Sequence, residues 1–497
     1  MTAVLNVLST AFIFVIGMIA LCLVVVFIVD RYQTADTVRR NYPVIGRMRY
    51  ILSELGEFFR QYFFAMDREE LPFNRAQRDW VNDAAKAQST NVAFGSTQTL
   101  DPVGTPIFVN CPWPTLEGDG VEASPMMIGE GVARTPYNAP SLFNISGMSY
   151  GALSTPAIRA LSHGAAKTGC WLNTGEGGLS SHHLEGGCDI VFQVGTAKYG
   201  VRDEAGNLSD EKLRAVAAHE QVRMFELKLS QGAKPGKGGI LPGAKVNAEI
   251  AAIRGIPEGE ASISPNRHNE VGNVEELLDM IHRLREVTGK PVGIKTVIGA
   301  YGWIEELFNE INARGPQSAP DFITVDSGDG GTGAAPLPLM DHVGLTLREA
   351  LPMLVDLRDA AGLKDRIRVI ASGKLITPSE VAWALCAGAD FVISARGFMF
   401  ALGCIQAMKC NKNTCPTGIT THDPSLQRGL DPTNKAVRVA NFVEQMRKEV
   451  GVIAHSCGVP GPRGLKRFHV RLVCPDGRSR PLDELYPPAA PNDTVAS

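Results

Sequence analysis

The chain has 497 residues, of which 44% are apolar and 20% are charged, and its formal net charge at pH 7 is −3. This balance is typical of a folded globular protein and excludes a wholly disordered chain. The near-neutral charge gives no electrostatic case for nucleic-acid binding, and ten cysteines are too few for a disulfide-rich secreted scaffold.

The first predicted element is a membrane-spanning helix. Residues 11–29 carry no charge, and at helical rise they span roughly 28 Å, about one bilayer core. A cleaved signal peptide is the alternative, but no convincing small-residue cleavage site follows. We therefore predict a retained single-pass anchor, residues 1–30, in the cytoplasmic membrane. The bulk of the chain is placed in the cytoplasm because the basic residues follow the span: Arg31, Arg39, Arg40, Arg47 and Arg49.

Residues 31–135 are predicted to form a separate, mainly helical region. The periodicity is helical over 49–87, and an aromatic cluster at 58–64 follows closely behind the span. Two placements are open for this region. It forms either a helical collar on the main domain or a helix that lies at the membrane interface.

From about residue 140, short apolar runs alternate with helical stretches, which indicates parallel βα units. Eight runs fit a closed (β/α)8 barrel whose site forms on the loops after the strands. A doubly wound open sheet is the competing architecture, but no G-x-G-x-x-G motif follows the first run. We therefore predict an α/β fold with a TIM barrel over residues 136–460. The runs are 143–148, 170–175, 189–195, 225–230, 291–297, 321–328, 366–373 and 390–397.

Residues 461–497 are predicted to be a C-terminal extension. Its end, residues 486–497, is rich in proline and alanine and is expected to be a disordered tail.

Almost every strand-like run ends in glycine or a polar residue. Glycine-rich loops at the carboxyl ends of strands expose backbone N–H groups, which can hold phosphates and ring edges. One such loop would be a simple turn, but six loops on one face favour a phosphorylated cofactor. The last two loops are the usual phosphate site of such barrels. The candidate cofactor-binding residues are Met148, Ser149, Asp329, Gly330, Gly331, Ser372, Gly373, Arg396 and Gly397.

Lys295 lies inside an apolar strand, where an unpaired ammonium group would be costly. It is therefore expected to face a carboxylate or a ligand at the mouth of the barrel. A cation beside the pyrimidine edge of a flavin would stabilise the anionic reduced ring. A structural salt bridge is the alternative.

Three further side chains suit a dicarboxylate ligand: Gln231, Lys234 and Arg254. Arginine offers a bidentate fork and lysine a point charge, although Lys234 alone would also be typical of a solvated surface. Glu176, in "NTGEGG", is a candidate proton donor or orienting group, or else the partner of a lysine. His182 and His183 are weaker candidates.

Three cysteines are crowded into the loop 403–418: Cys404, Cys410 and Cys415. Three thiolates cannot complete the four-ligand cage usual for zinc or a [4Fe–4S] cluster. They can hold a cuboidal cluster that lacks one iron, and an electron relay beside a flavin makes chemical sense. A zinc site completed by a histidine such as His422 is the alternative.

Together these motifs resemble the FMN/iron–sulfur synthase domain of glutamate synthase. "SGMSYGALS", "NTGEGG", "QGAKPGKGGILPGAKV", "ISPNRHNE", "DGGTGA" and "LGCIQAMKCNKNTCPTGI" follow that family's motifs in order across about 140–450. The resemblance implies FMN in a (β/α)8 barrel and a [3Fe–4S] cluster on Cys404, Cys410 and Cys415. It also implies 2-oxoglutarate bound by Gln231, Lys234 and Arg254, with Lys295 and Glu176 as the catalytic residues.

The resemblance implies an oxidoreductase that aminates a 2-oxo acid with ammonia. Reduced FMN would supply hydride, and the cluster would feed electrons to the flavin. Beyond this small-molecule substrate, the expected partners are the membrane, through residues 11–29, and a separate electron-donor protein or quinone.

Departures from the family pattern place the substrate in question. The glutaminase domain of glutamate synthases is not expected in this chain. Lys237 stands where the large enzymes have glutamate, and "SPNRHNE" replaces "SPPPHHD". A membrane-linked FMN/Fe–S oxidoreductase that acts on a different amino or 2-oxo acid is therefore the alternative function.

Overall fold

The computed structural model describes residues 2–487, so most of the predicted tail lies outside the described residues. The chain divides into two compact units, Met1–Ala76 and Gln77–Ser497, which are described separately below.

The first unit is helical. Helix α1 (Thr2–Tyr32) is the one described helix that is long and apolar enough to cross a membrane. Length and composition do not separate a membrane span from a signal sequence. Helices α2 (Thr37–Asn41) and α3 (Ile45–Phe59) follow, and α3 continues into a π-helical turn, Arg60–Phe64.

The turn between α1 and α3 is fixed by one carboxylate, Asp30, whose side chain is buried. The guanidinium groups of Arg39 and Arg47 donate to it at 2.7 and 2.8 Å, and the N–H of Val44 donates at 3.1 Å. We call this arrangement the Asp30 latch. It ties the last turn of α1 to the first turn of α3.

The second unit is built on a closed barrel of eight parallel strands. All eight predicted runs contribute a strand, and the last strand pairs with the first through Val392–Phe143, Ile393–Asn144 and Ser394–Ile145. The closure confirms the (β/α)8 prediction and excludes the open sheet. In chain order the strands are β1 Phe143–Ile145, β2 Leu172–Asn173, β3 Ile190–Val194, β4 Val222–Lys228, β5 Val292–Val297, β6 Phe322–Asp326, β7 Arg368–Ser372 and β8 Phe391–Ser394.

Helices follow the strands around the barrel. Local sequence sets their ends: Ser154 caps the helix after β1, which then stops at the left-handed Gly169. This helix packs closely on the last long helix, because a Cβ at Gly164 would lie 2.5 Å from Val439. The main helices are Thr155–Thr168, Asp210–Ala217, Ala248–Arg254, Val274–Thr288, Gly302–Arg314, Leu347–Ala360, Pro378–Ala387, Arg396–Leu402 and Pro432–Ser456.

The remaining elements are short. Helices are formed by Arg75–Ala85, Ser181–Leu184, Leu337–His342, Pro424–Gln427 and Leu482–Leu485. Strand Pro106–Phe108 pairs with Val470–Val473, which pairs with Ser479–Pro481. Two small hairpins pair Met126–Ile128 with Tyr137–Ala139 and Ile240–Leu241 with Ser262–Ile263.

The barrel interior combines an apolar floor with one buried carboxylate. Trp171, Met224 and Phe391 belong to the fully buried core cluster. Glu226 of β4 accepts hydrogen bonds from three other strands or their ends, from Asn173 at 2.8 Å, Gln193 at 2.6 Å and Thr324 at 2.8 Å. A buried carboxylate satisfied in this way fixes the relative positions of neighbouring strands.

Candidate active site

One continuous cleft lies at the carboxyl ends of the barrel strands. Its outer part measures about 900 Å³ and its inner part about 550 Å³, open solvent included. The two parts share residues from strands β3 and β4 and from the loops after β1, β4, β6 and β8, so they form a single site where the fold predicts one. The shared residues are Gly147, Gln193, Lys228, Gln231, Gly331, Ala395 and Arg396.

The outer part brings together the predicted catalytic and substrate residues of one wall. Glu176, Gln231, Lys234 and Arg254 all line it. Gln231 accepts a hydrogen bond from Lys228 Nζ and donates through Nε2 to Thr332 at 3.2 Å. Glu176 and Arg254, which are 78 positions apart in the sequence, thus line the same part of the cleft.

Glu176 pairs with a lysine, which is one of its two predicted roles. Its Oε2 lies 3.1 Å from Lys228 Nζ. Burial pushes the pKa of Glu176 upward, but the positive charges of Lys228, Lys234 and Arg254 outweigh burial and hold it below the usual value. Glu176 is therefore a carboxylate at neutral pH and is available as a proton acceptor.

Lys234 and Arg254 are cations taken out of water. They are 7% and 4% exposed, and burial lowers the pKa of Lys234 to about 8. Arg254 donates to Ser262 and to the Tyr150 carbonyl, both at 3.1 Å, whereas its Nε has no partner among the described residues. Two desolvated cations at one wall suit an anionic ligand.

Lys295 faces a carboxylate and the inner part of the cleft. It lines the inner part of the cleft, and its Nζ lies 3.5 Å from Asp326. Asp326 also accepts from Ser372 Oγ at 2.7 Å and from the Gly232 N–H at 2.8 Å. The pair thus links β5, β6, β7 and the loop after β4.

The predicted cofactor residues divide into two groups. Ser372 and Gly373 line the inner part of the cleft, Gly331 and Arg396 line both parts, and Met148 and Ser149 line the outer part. The other three pack beside the cleft. Asp329 pairs with Lys374 at 2.8 Å, Gly330 approaches Gly232, and Gly397 lies under Phe442.

Glycine is required where backbones approach closely. Gly175 has φ +62°, and a Cβ there would lie 2.6 Å from the Ser149 backbone nitrogen. Gly373 has φ +121°, and its Cβ would lie 2.3 Å from Ser327 Cβ. Both conformations are costly for other residues, so these glycines preserve the shape of the cleft wall.

The three cysteines lie on a strained loop at the outer part of the cleft. Cys410 lines the cleft, with its sulfur 3.9 Å from Arg396 Nη1. Burial raises the pKa of the Cys404 thiol to about 11. The pKa of Cys415 is lowered, because hydrogen bonds from Thr417 and Thr420 outweigh burial. Three non-glycine residues of this loop have positive φ: Gln406, Met408 and Asn413.

In the described part of the chain, no group of three or more His, Cys, Asp or Glu side chains is placed to hold a metal ion. The charges of Cys410 and Cys415 nevertheless act on the Cys404 thiol and contribute to raising its pKa. His422 Nε2 is engaged by the Gly151 carbonyl at 2.9 Å. The three thiols of the loop suit a thiolate-bound group, and the hydrogen bond at Nε2 engages only one of the two ring nitrogens of His422.

Sequence reasoning missed several residues of this site. Lys228 lines both parts of the cleft, and Asp326 is the partner of Lys295. The signal that identified Lys295, a charged residue inside a buried apolar strand, was equally present at both positions. Lys245 carried no such signal. Its side chain is fully buried behind the cysteine loop.

The conserved region of glutamate synthase matches residues 115–460 of this chain. The glutamate synthase large subunit-like protein YerD of Bacillus subtilis is 40% identical over 95% of this chain and 97% of its own length. A protein of Methanocaldococcus jannaschii named archaeal glutamate synthase [NADPH] is 35% identical over 66% of this chain. Only 61% of that archaeal protein is covered.

Solved structures resemble the chain more distantly. The flavin-binding domain of baker's yeast flavocytochrome b2 has a TM-score of 0.46 at 14% identity, covering 85% of this chain and 86% of that domain. A mandelate oxidase has a TM-score of 0.45 at 15% identity, and the match covers 80% of this chain and 90% of the oxidase. With the conserved region covering more than half of its residues, the chain belongs to the glutamate synthase family.

Proposed function

We propose that this chain is a glutamate synthase-type oxidoreductase that aminates 2-oxoglutarate, or a closely related 2-oxo acid, with ammonia. The observation that carries the proposal is the cleft itself, where the ionised Glu176 and the buried cations Lys234 and Arg254 line the outer part and Lys295 lines the inner part. Binding of an apolar ligand would not require these charges, whereas binding of a dicarboxylate substrate and an anionic cofactor would require them.

FMN fits the inner part of the cleft. Ser372, Gly373 and Arg396 stand at the ends of β7 and β8, where barrels of this class bind phosphate. A Cβ at Gly331 would come within 2.8 Å of Arg396 Nε, so glycine keeps this approach open. We assign Lys295 to the flavin ring and the loop residues Met148 and Ser149 to its outer side. When bound, FMN supplies hydride transfer.

The residues of the outer part bind and orient the substrate. Lys234 and Arg254 would neutralise its carboxylates, and Gln231 is held by Lys228 and Thr332 so that its amide is in a fixed orientation. Glu176, kept ionised by its three cationic neighbours, would accept a proton from the incoming nitrogen. Lys228 holds this carboxylate in place.

We further propose that Cys404, Cys410 and Cys415 bind a [3Fe–4S] cluster. The support is the three-thiol donor set, the effect of Cys410 and Cys415 on the pKa of the Cys404 thiol and the adjacent cations Arg396 and Lys245. Zinc is the competing occupant, and metal analysis of the anaerobically purified protein distinguishes the two. Zinc without iron would refute the cluster.

For its setting in the cell we propose a single-pass anchor through residues 11–29, with the catalytic unit in the cytoplasm. Electrons would come from a separate donor protein or from quinone. The proposed division of the chain is 1–30 for the anchor, 31–135 for the helical region, 136–460 for the FMN domain with its Fe–S loop 403–418, and 461–497 for the extension.

The test is turnover by the purified full-length protein under a chemical reductant, with ammonia and 2-oxoglutarate as substrates. The expected result is a yellow protein that releases FMN on denaturation and forms glutamate. The Lys295→Met variant is expected to lose most of this activity. A colourless preparation without flavin absorbance would refute the proposal.

A second candidate is a membrane-linked FMN/Fe–S enzyme acting on another amino or 2-oxo acid. It is favoured by Lys237, which stands where the large enzymes have glutamate and whose positive charge contributes to lowering the pKa of Lys234. A panel of 2-oxo acids assayed in parallel decides between the two. Faster turnover of any acid other than 2-oxoglutarate supports the second candidate.

A further inference from the structure

Helix α3 of the first unit has an apolar face that the described structure leaves uncovered. At about 100° per residue, its apolar residues fall within an arc of about 140°. Representative members of this face are Met48, Ile51, Leu52, Leu55, Phe58 and Phe59, which are 41–59% exposed. The opposite face carries Arg49, Glu54 and Glu57. We call the first set the α3 apolar face.

The aromatic content increases toward the end of the helix. Phe58 packs on Tyr62 with ring centroids 4.8 Å apart, and Phe59 packs on Phe63 at 5.6 Å. Phe63 and Phe64 of the π-helical turn are still 68% and 76% exposed. Clusters of aromatic rings beside charged residues are typical of the interfacial layer of a bilayer.

The Asp30 latch determines where this face begins. Asp30 directly follows the charge-free stretch 11–29, so in a membrane-spanning α1 it lies at the boundary between hydrocarbon and headgroups. Arg47, in the first turn of α3, is bound to Asp30 at 2.8 Å. The start of α3 is therefore held at the depth at which the span ends.

The residues around the Asp30 latch include positively charged side chains of the kind that anionic lipid headgroups attract. Arg39, Arg40, Arg47 and Arg49 lie within a few residues of the latch, and basic residues at the cytoplasmic end of a span favour anionic headgroups. An amphipathic helix held at this depth, with basic residues at its start, has the properties of an interfacial helix.

We propose that α3 lies in the plane of the membrane, with the α3 apolar face in contact with lipid, so that the chain has an interfacial helix in addition to its span. The proposal rests on the membrane span proposed above. It selects the interfacial placement over the helical collar, the other placement that the sequence leaves open.

The experiment compares two tryptophan variants of the full-length protein reconstituted in vesicles of phosphatidylcholine and phosphatidylglycerol. Phe59→Trp puts the new indole on the α3 apolar face, and Glu57→Trp puts it on the opposite face two residues away. Native tryptophans are the same in both variants. Vesicles with brominated acyl chains quench tryptophans that contact lipid.

The expected result is that the added fluorescence of Phe59→Trp is quenched by at least half, whereas that of Glu57→Trp changes little. Equal quenching of both variants, or no quenching of either, overturns the proposal. Quenching of Phe59→Trp that appears only when the protein is diluted in the bilayer also overturns it, because a second copy would then cover the face at higher protein density.

Resistance to alkaline carbonate extraction provides the second readout. Both variants are expected to remain in the membrane fraction, as the wild type does. If the wild type is extracted, the proposed span fails. If it is retained while Phe59→Trp is not quenched, the span stands and only the interfacial helix fails.

Discussion

Lys245 Nζ donates a hydrogen bond of 2.6 Å to the backbone carbonyl of Cys410, and a second one of 2.5 Å to that of Thr420. The ammonium group is almost completely buried, and the charges that act on it are those of Cys410 and Cys415. A buried cation satisfied by the carbonyls of the cysteine loop acts as a clamp on that loop.

The first prediction is that Lys245→Met disorders the cysteine loop. Each buried carbonyl left without a donor costs about 1–3 kcal/mol, and the loop already contains three residues with positive φ. We expect iron content per chain to fall by more than half, measured together with the paramagnetic signal of the oxidised protein. Lys409→Met, an exposed change on the same loop, is the control. Equal iron content in both variants would contradict the clamp.

The second prediction concerns Arg254. Replacing it by lysine removes the guanidinium fork, and the loss of a charged hydrogen bond of about 1.5–3 kcal/mol weakens 2-oxoglutarate binding roughly 10- to 100-fold. Titration calorimetry on the oxidised protein measures the affinity for 2-oxoglutarate. Arg202→Lys is the matched control, because Arg202 and Arg254 both stack on the Tyr199 ring, at 5.0 and 5.1 Å. A similar loss in both variants would indicate a structural effect through Tyr199.

The third prediction is a pH dependence set by Lys234. Burial lowers its pKa to about 8, so its charge is lost as the pH rises through about 8. Binding of 2-oxoglutarate is expected to weaken above that pH. Direct binding is the proper measurement, since turnover also depends on the protonation of ammonia. Lys234→Arg, which remains charged, is expected to lack this decline, and an unchanged pH profile in that variant would assign the decline to another group.

The fourth prediction is that Lys234→Met stabilises the fold while it impairs binding. The folded-state pKa lies below the usual 10.5, so the unfolded chain binds this proton more tightly. Lys234 therefore destabilises the fold below about pH 8, and the penalty disappears as the pH rises toward 10.5. A higher melting temperature at pH 7, with a smaller gain at pH 10, is expected. A melting temperature lowered at both pH values would contradict this.

The fifth prediction is a double-mutant cycle on Lys295 and Asp326. Breaking a buried ion pair from one side costs about 3–5 kcal/mol, so Lys295→Met and Asp326→Asn each lower the melting temperature. The double variant is expected to recover part of the loss, because no uncompensated charge is left. Strictly additive losses would mean that each residue acts through its other contacts.

The barrel was predictable because its eight runs are apolar, short and separated by helical stretches. The residues at which the strands end were harder to predict. The run 170–175 yields only Leu172–Asn173 as strand, because the left-handed Gly175 turns the chain against Ser149. Such a turn depends on a neighbour from another loop, which local sequence does not reveal.

For the site, residue type and position after a strand pointed to Glu176 and Ser372, whereas Arg254, the last residue of the helix Ala248–Arg254, was chosen because its guanidinium group suits a dicarboxylate. The partners of these residues were harder to predict, because Lys245 reaches a carbonyl 165 residues away along the chain and Phe442 covers Gly397 from a distant helix. Long-range packing of this kind decides which of several glycines face a ligand. Long-range packing cannot be predicted from the hydrophobic pattern and the spacing of motifs alone.

The Asp30 latch also imposes an order on biosynthesis. Asp30 is translated before Arg39 and Arg47, the two residues that neutralise it. While the ribosome adds the intervening residues, the nascent chain carries an unpaired carboxylate at the end of its hydrophobic segment. Helix α3 can be held against the end of α1 only after Arg47 has been added to the chain, so the latch closes after the whole of α1 has been synthesised.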